Sequence, residues 1–156
     1  MGEDNNALAK VRIATALVGG LIAAIPGCIG VVWGKVAHPA DRWLEMSQRA
    51  FAPFPDFPFT LWVGIHPFRS DSGVGVVTSG LATFVGREAE VEGRAADLPI
   101  LINRVAGLAA YLIERGSVIS DGDTIGISEA ERITVRHMTS RRFLGLPVLF
   151  AGSPSR

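Results

Sequence analysis

A chain of 156 residues is long enough for one domain with a real core and too short for two ordinary ones. Hydrophobic residues make up 48% of it and charged residues 19%, which excludes a disordered tail. Fifteen basic side chains balance fifteen acidic ones, so no global field draws in nucleic acid or an anionic membrane surface.

Asp4, Asn5 and Asn6 are capping residue types for a helix starting near Ala7. From Ile13 to Gly34 there follow 22 residues without a charge, by length a transmembrane or signal-anchor candidate. Pro26-Gly27 interrupts the run, and proline inside a helix costs about 3 kcal/mol. The run therefore reads as a buried helix of roughly four to five turns and then a buried strand, Cys28 to Trp33. The alternative is a membrane-anchored module held by residues 13–34. The lone Cys28 excludes an intramolecular disulfide and suits a reducing, cytoplasmic setting.

His38-Pro39-Ala40-Asp41 opens a second helix, with Trp43, Leu44, Ser47, Ala50 and Phe51 at helical spacing. The segment from Phe51 to Phe59 holds three prolines and predicts an extended strap whose phenylalanines lie against the core. Should the strap be exposed, Phe54 and Phe57 are its candidate contact residues.

Residues 60–93 predict a β-meander, with Leu61, Val63 and Ile65 on one face and Trp62 and His66 on the other. Ser70 to Gly73 is a turn, and Gly80 and Gly86 break the pleat before Glu88-Ala89-Glu90-Val91-Glu92 resumes it. Asp97-Leu98-Pro99 caps a helix to Arg115, with Leu101, Val105, Leu108 and Leu112 in one stripe and Gly116 as the stop. Val118-Ile119, Ile133 to Met138 and Leu146 to Phe150 predict strands, the middle one at an edge or half-buried, with a turn at Asp121-Gly122-Asp123. The expected fold is one α+β domain over residues 1–151 with a frayed tail, 152–156. Its antiparallel or mixed β-sheet, made of the meander 60–93 and the C-terminal strands, packs against two main α-helices.

Thr78-Ser79-Gly80-Leu81, Phe84, Gly86, Glu88-Ala89-Glu90-Val91 and Asp121-Gly122-Asp123-Thr124-Ile125-Gly126 occur in an order that resembles a bacterial family known as domain of unknown function 4261. Trp33 and Leu61-Trp62-Val63 look like further matches, so the likeness is expected to run from the first helix to Phe150. The resemblance implies no reaction. Members usually carry a further α/β portion ahead of the first helix, which implies a sheet edge left open here for self-association or a partner strand. Such domains look like others found beside toxin and secretion genes.

Glu88, Glu90 and Glu92 alternate, so in a strand their carboxylates share one face at roughly 7 Å spacing. With Asp121 and Asp123 they are a conceivable Mg²⁺ or Ca²⁺ set for a metal-assisted hydrolase, although a solvated face and a structural turn explain the same residues. No metal or other cofactor is expected. Ser79, His66 and Glu90 compose a triad on paper, without a nucleophile elbow. Arg132, Arg136, Arg141 and Arg142 with His137 form the one local basic cluster, and pairing with Glu129 and Glu131 is its plainest account. The expected function is non-catalytic binding of another protein or of a second copy, in the role of a toxin-neutralising immunity protein or an escort, with Phe54, Phe57, Arg136, Arg141 and Arg142 as contact candidates. No nucleic acid or membrane partner is expected.

Overall fold

The computed structural model describes residues 4–71, 73–126 and 132–152. Ser72, Glu129 and Glu131, and all but Gly152 of the expected tail, lie outside them. Helix α1 runs Asp4–Ala24, then β1 (Gly30–Trp33) and β2 (Val36–Pro39) form a separate two-stranded hairpin, and α2 covers Ala40–Ser47. After a 3-10 turn at Phe59–Leu61 come β3 (Gly64–Ser70), β4 (Gly73–Ser79), a one-turn helix α3 (Ala82–Val85) and β5 (Glu88–Gly93). Helix α4 (Leu98–Arg115), β6 (Thr124–Ile125), β7 (Ile133–Thr139) and β8 (Pro147–Ala151) complete the chain.

The main sheet has the order β3-β4-β5-β8-β7-β6. All its pairings are antiparallel except β5 with β8, so the sheet is mixed. The meander is present, but its first strand starts at Gly64, because Leu61 and Trp62 turn inward from the 3-10 turn before it. Strand β8, expected simply to close the sheet, sits in its middle. Strand β7 lies between β8 and β6, so of the two expectations for it the half-buried one holds and the edge one does not, and Val118-Ile119 forms no strand. Pro67 lies on the edge strand β3, where a missing N–H does least harm.

Alternation along the strands puts Val76, Ala89, Val91, Val135, Leu149 and Ala151 under α4, whose Leu101, Val105, Ala109 and Leu112 are buried against them. Pro99 stands in the first turn of α4 as expected, whereas the Asp97 carboxylate pairs with Arg94 at 2.9 Å and caps nothing. The core continues around Trp43, Phe57, Trp62 and Phe84, which α1 covers with Leu8, Val11 and Ile22. Thr15 pins α1 to this centre: its carbonyl accepts from Trp43 Nε1 at 3.2 Å, and its hydroxyl accepts from Trp62 Nε1 at 2.8 Å while donating to Val11 O. Gly19 lets α2 approach, since a Cβ there would meet the Ser47 side chain.

Three expectations near the N-terminus are corrected. The apolar run breaks at Pro26 as predicted, but α1 is longer than predicted and only one of its faces is buried. The strand after it is not buried: Val32 is 76% exposed. His38 belongs to β2 and not to a helix; its Nε2 lies 3.0 Å from Leu61 O, and since a carbonyl only accepts, that nitrogen carries the proton. Burial holds the His38 pKa below the ordinary 6.5, outweighing the hydrogen bond to Leu61, and Arg42 pushes the same way as burial.

Candidate functional site

The three glutamates of β5 have separate tasks. Glu88, 5% exposed, accepts from Thr78 Oγ1 at 2.6 Å and Leu81 N at 3.1 Å through Oε2, and from Gly80 N at 2.8 Å and Ala82 N at 3.2 Å through Oε1. It thus gathers amides at the start of α3 that a one-turn helix cannot pair internally. Glu92 pairs with Arg142 Nε at 3.2 Å, and that guanidinium also reaches Asp71 at 3.4 Å and lies over the Phe68 ring. Phe143 meets the same ring edge-on, so the segment after β7 is tied across the sheet face opposite α4.

Glu90 lies between these two, 2% exposed, and its Oε2 has no hydrogen-bond partner among the described residues. Burial pushes its pKa above the ordinary 4.5; a hydrogen bond with the Ser140 side chain opposes the rise, Glu92 adds to it and Arg142 reduces it. Because the folded value is raised, the ionised form weakens the fold: the associated stability is complete below the ordinary carboxylate range and is lost as pH rises through the folded value. We expect Glu90→Gln to be more stable than the parent chain at neutral pH, with the difference shrinking as pH falls toward 4.5, in thermal melts of both chains across that range.

Glu90 lines a groove of about 750 Å³ with Glu92, Asp121, Arg136, Arg141 and Phe150 among its walls. Strand register sets Glu90, Phe150 and Arg136 side by side on β5, β8 and β7. Gly152 keeps the groove open beside them, since a Cβ there would meet the Phe150 ring at 2.9 Å.

The other sequence candidates separate. The carboxylate set Glu88, Glu90, Asp121 and Asp123 does not converge: Asp121 accepts from His137 N and Asp123 from Ser120 N, each at 2.7 Å, and Glu88 is occupied as described. Among the described residues no group of three or more His, Cys, Asp or Glu side chains is placed to hold a metal ion. His66 Nε2 and Ser79 Oγ do meet at 2.8 Å, but on an exposed stretch of strand, and Glu90 lies beyond Val77 on the far side of that row. Phe57 is buried, stacked on Trp62 at 5.7 Å beneath the Arg12 guanidinium, and presents no contact surface; Phe54 remains 44% exposed. Arg142 is engaged with Glu92, Asp71 and Phe68, while Arg136 and Arg141 stand at the groove. Sequence alternation marked Glu90 but did not show its isolation, which follows from the neighbouring strand β8 and from Ser140.

A second surface lies across the molecule. Ile13, Leu17 and Leu21 follow one another at four-residue steps on the outer side of α1, and Ile25 continues the row just past its end, each between 53% and 64% exposed. Ala16, Gly20 and Ala24 are exposed between them. Among the described residues, two helical stretches are by length and composition apolar enough to cross a membrane, Asn6–Ala24 and Ala95–Arg115.

These features define an α+β domain in which a mixed six-stranded sheet carries a helix on one face and a charged groove on the other. Within that class, residues 77–147 match the family model described as Domain of unknown function (DUF4261). The match starts in β4 and ends at the first residue of β8, so it includes Glu88, Glu90, Arg136 and Arg141, whereas Trp33, Leu61-Trp62-Val63 and α1 lie outside it. No curated protein and no solved structure matches the chain.

Proposed function

We propose that this chain is a non-catalytic protein-binding domain whose contact surface is the outer face of α1, and that its partner presents an apolar helix. The supporting observation is the row Ile13, Leu17, Leu21 and Ile25, an aliphatic stripe about 18 Å long with no charged residue anywhere between Ile13 and Ile25. Ala16, Gly20 and Ala24 beside the stripe allow a second helix backbone to come close. Lipid suits this face less well. Interfacial helices carry a basic polar side, whereas the opposite side of α1 is buried core held by Thr15. We place the domain in the cytoplasm, where the lone Cys28 is stable as a thiol, and assign it to neutralising or escorting a toxin or secreted protein.

The test is recovery of the chain from its native host, identification of any bound protein, and reconstitution of that pair from purified components. Leu17→Glu with Leu21→Glu is expected to leave the melting temperature unchanged and to weaken the pair at least about tenfold, a loss of about 1.4 kcal/mol or more. Undiminished binding by that variant overturns the reading. So does a stable dimer of the chain through this face, or capture of the chain by vesicles of neutral lipid that the variant abolishes.

A further inference from the structure

We infer that the groove beside Glu90 binds a small ligand of nucleotide size, with an N–H donor at one end and a phosphate at the other, such as an amino-bearing nucleoside monophosphate. This inference does not depend on the α1 surface, which lies on another part of the chain. The volume of about 750 Å³ falls within the range of small-molecule sites, roughly 300 to 1,000 Å³. Glu90 lines the groove, and its Oε2 is buried without a hydrogen-bond partner among the described residues, an arrangement that costs stability unless something donates to it. The protein uses its nearest cation elsewhere, since Arg142 is paired with Glu92 and Asp71. An incoming N–H is the missing complement.

Arg136, two strands away, and Arg141 also line the groove, both exposed, and no hydrogen bond or ion pair is found for either among the described residues. Guanidinium groups match phosphate oxygens in charge and in donor geometry. Adjacent strands lie about 4.8 Å apart, so Glu90 on β5 and Arg136 on β7 are about 10 Å apart with Phe150 between them. That order, acceptor, aromatic ring, cation, fits a ligand with an exocyclic amine, a flat base and a phosphate in the same sequence. A bare anion would satisfy the arginines and leave Oε2 without a donor.

Calorimetric titration of the full chain with adenosine monophosphate tests this, with adenosine, inosine monophosphate and inorganic phosphate as comparison ligands. Adenosine monophosphate is expected to bind one to one. Inosine monophosphate, which sets a carbonyl against Glu90 where the amine stood, is expected to bind at least tenfold more weakly. Arg136→Ala with Arg141→Ala should weaken the nucleotide at least tenfold. Glu90→Leu, checked for folding by its melting temperature, should remove the preference for the amine, so that adenosine monophosphate and inosine monophosphate bind alike. No saturable binding of adenosine monophosphate overturns the inference, as does phosphate binding as tightly as the nucleotide, or Glu90→Leu retaining the preference.

Discussion

Replacing Glu88 by Ala is expected to destabilise the domain by about 3 to 5 kcal/mol, the size associated with stripping one partner from a buried charged arrangement. The carboxylate accepts four hydrogen bonds, and three of its donors are the backbone amides of Gly80, Leu81 and Ala82. Leu81 is buried, so water cannot replace the lost acceptor there. Thr78 is bound into the same unit, because its hydroxyl donates to Glu88 and accepts from Ala89 N at 2.8 Å. Glu88→Gln keeps the volume and one acceptor oxygen but turns an NH₂ toward the donors, so it is expected to cost less, about 1 to 3 kcal/mol. Urea unfolding of the three chains checks the order. An Ala variant within 1 kcal/mol of the parent would show that the turn holds without the carboxylate.

Trp62→Ala is expected to cost a similar amount, about 3 to 5 kcal/mol, but through packing. The indole is 1% exposed, stacked on Phe57 at 5.7 Å with the planes 12° apart, and 6.0 Å from the Phe84 ring. It also links three parts of the chain, since its Nε1 donates to Thr15 on α1 while Phe84 belongs to α3. The carbonyl of Trp62 lies against Gly80, whose positive φ and lack of a Cβ let the two turns touch. At this chain length the loss corresponds to a fall in melting temperature of about 6 to 20 °C. Thr15→Val separates the terms: it preserves the shape but leaves the indole N–H without its acceptor, at a cost of about 1 to 3 kcal/mol.

The fold class was legible because the strongest signals are local. The stripe of Leu101, Val105, Leu108 and Leu112 with Pro99 before it and Gly116 after it marks α4, and the alternation of Glu88 to Glu92 marks β5. Helix α3 was not legible, since four residues have no periodicity and this turn owes its form to Glu88, which follows it in the chain. Strand order was equally hidden: nothing in Pro147 to Ala151 shows that these residues enter between two earlier strands. At the groove, Arg136 and Arg141 were recognisable as a basic cluster and Glu90 as one of an alternating set. Their meeting was not, because it depends on that same insertion. Exposure of the α1 face was missed for a simpler reason, as hydropathy along a helix does not say which side the rest of the protein covers.

The central place of β8 has a consequence for biosynthesis. Until residues 147–151 emerge from the ribosome, the nascent polypeptide carries β3, β4 and β5 as a half-sheet whose β5 rim displays open backbone donors and acceptors. In the finished sheet β8 is the strand that joins this half to the β6–β7 ribbon, as their keystone. Chains cut short before residue 147 are therefore expected to leave the β5 rim open and to depend on a chaperone to shield it.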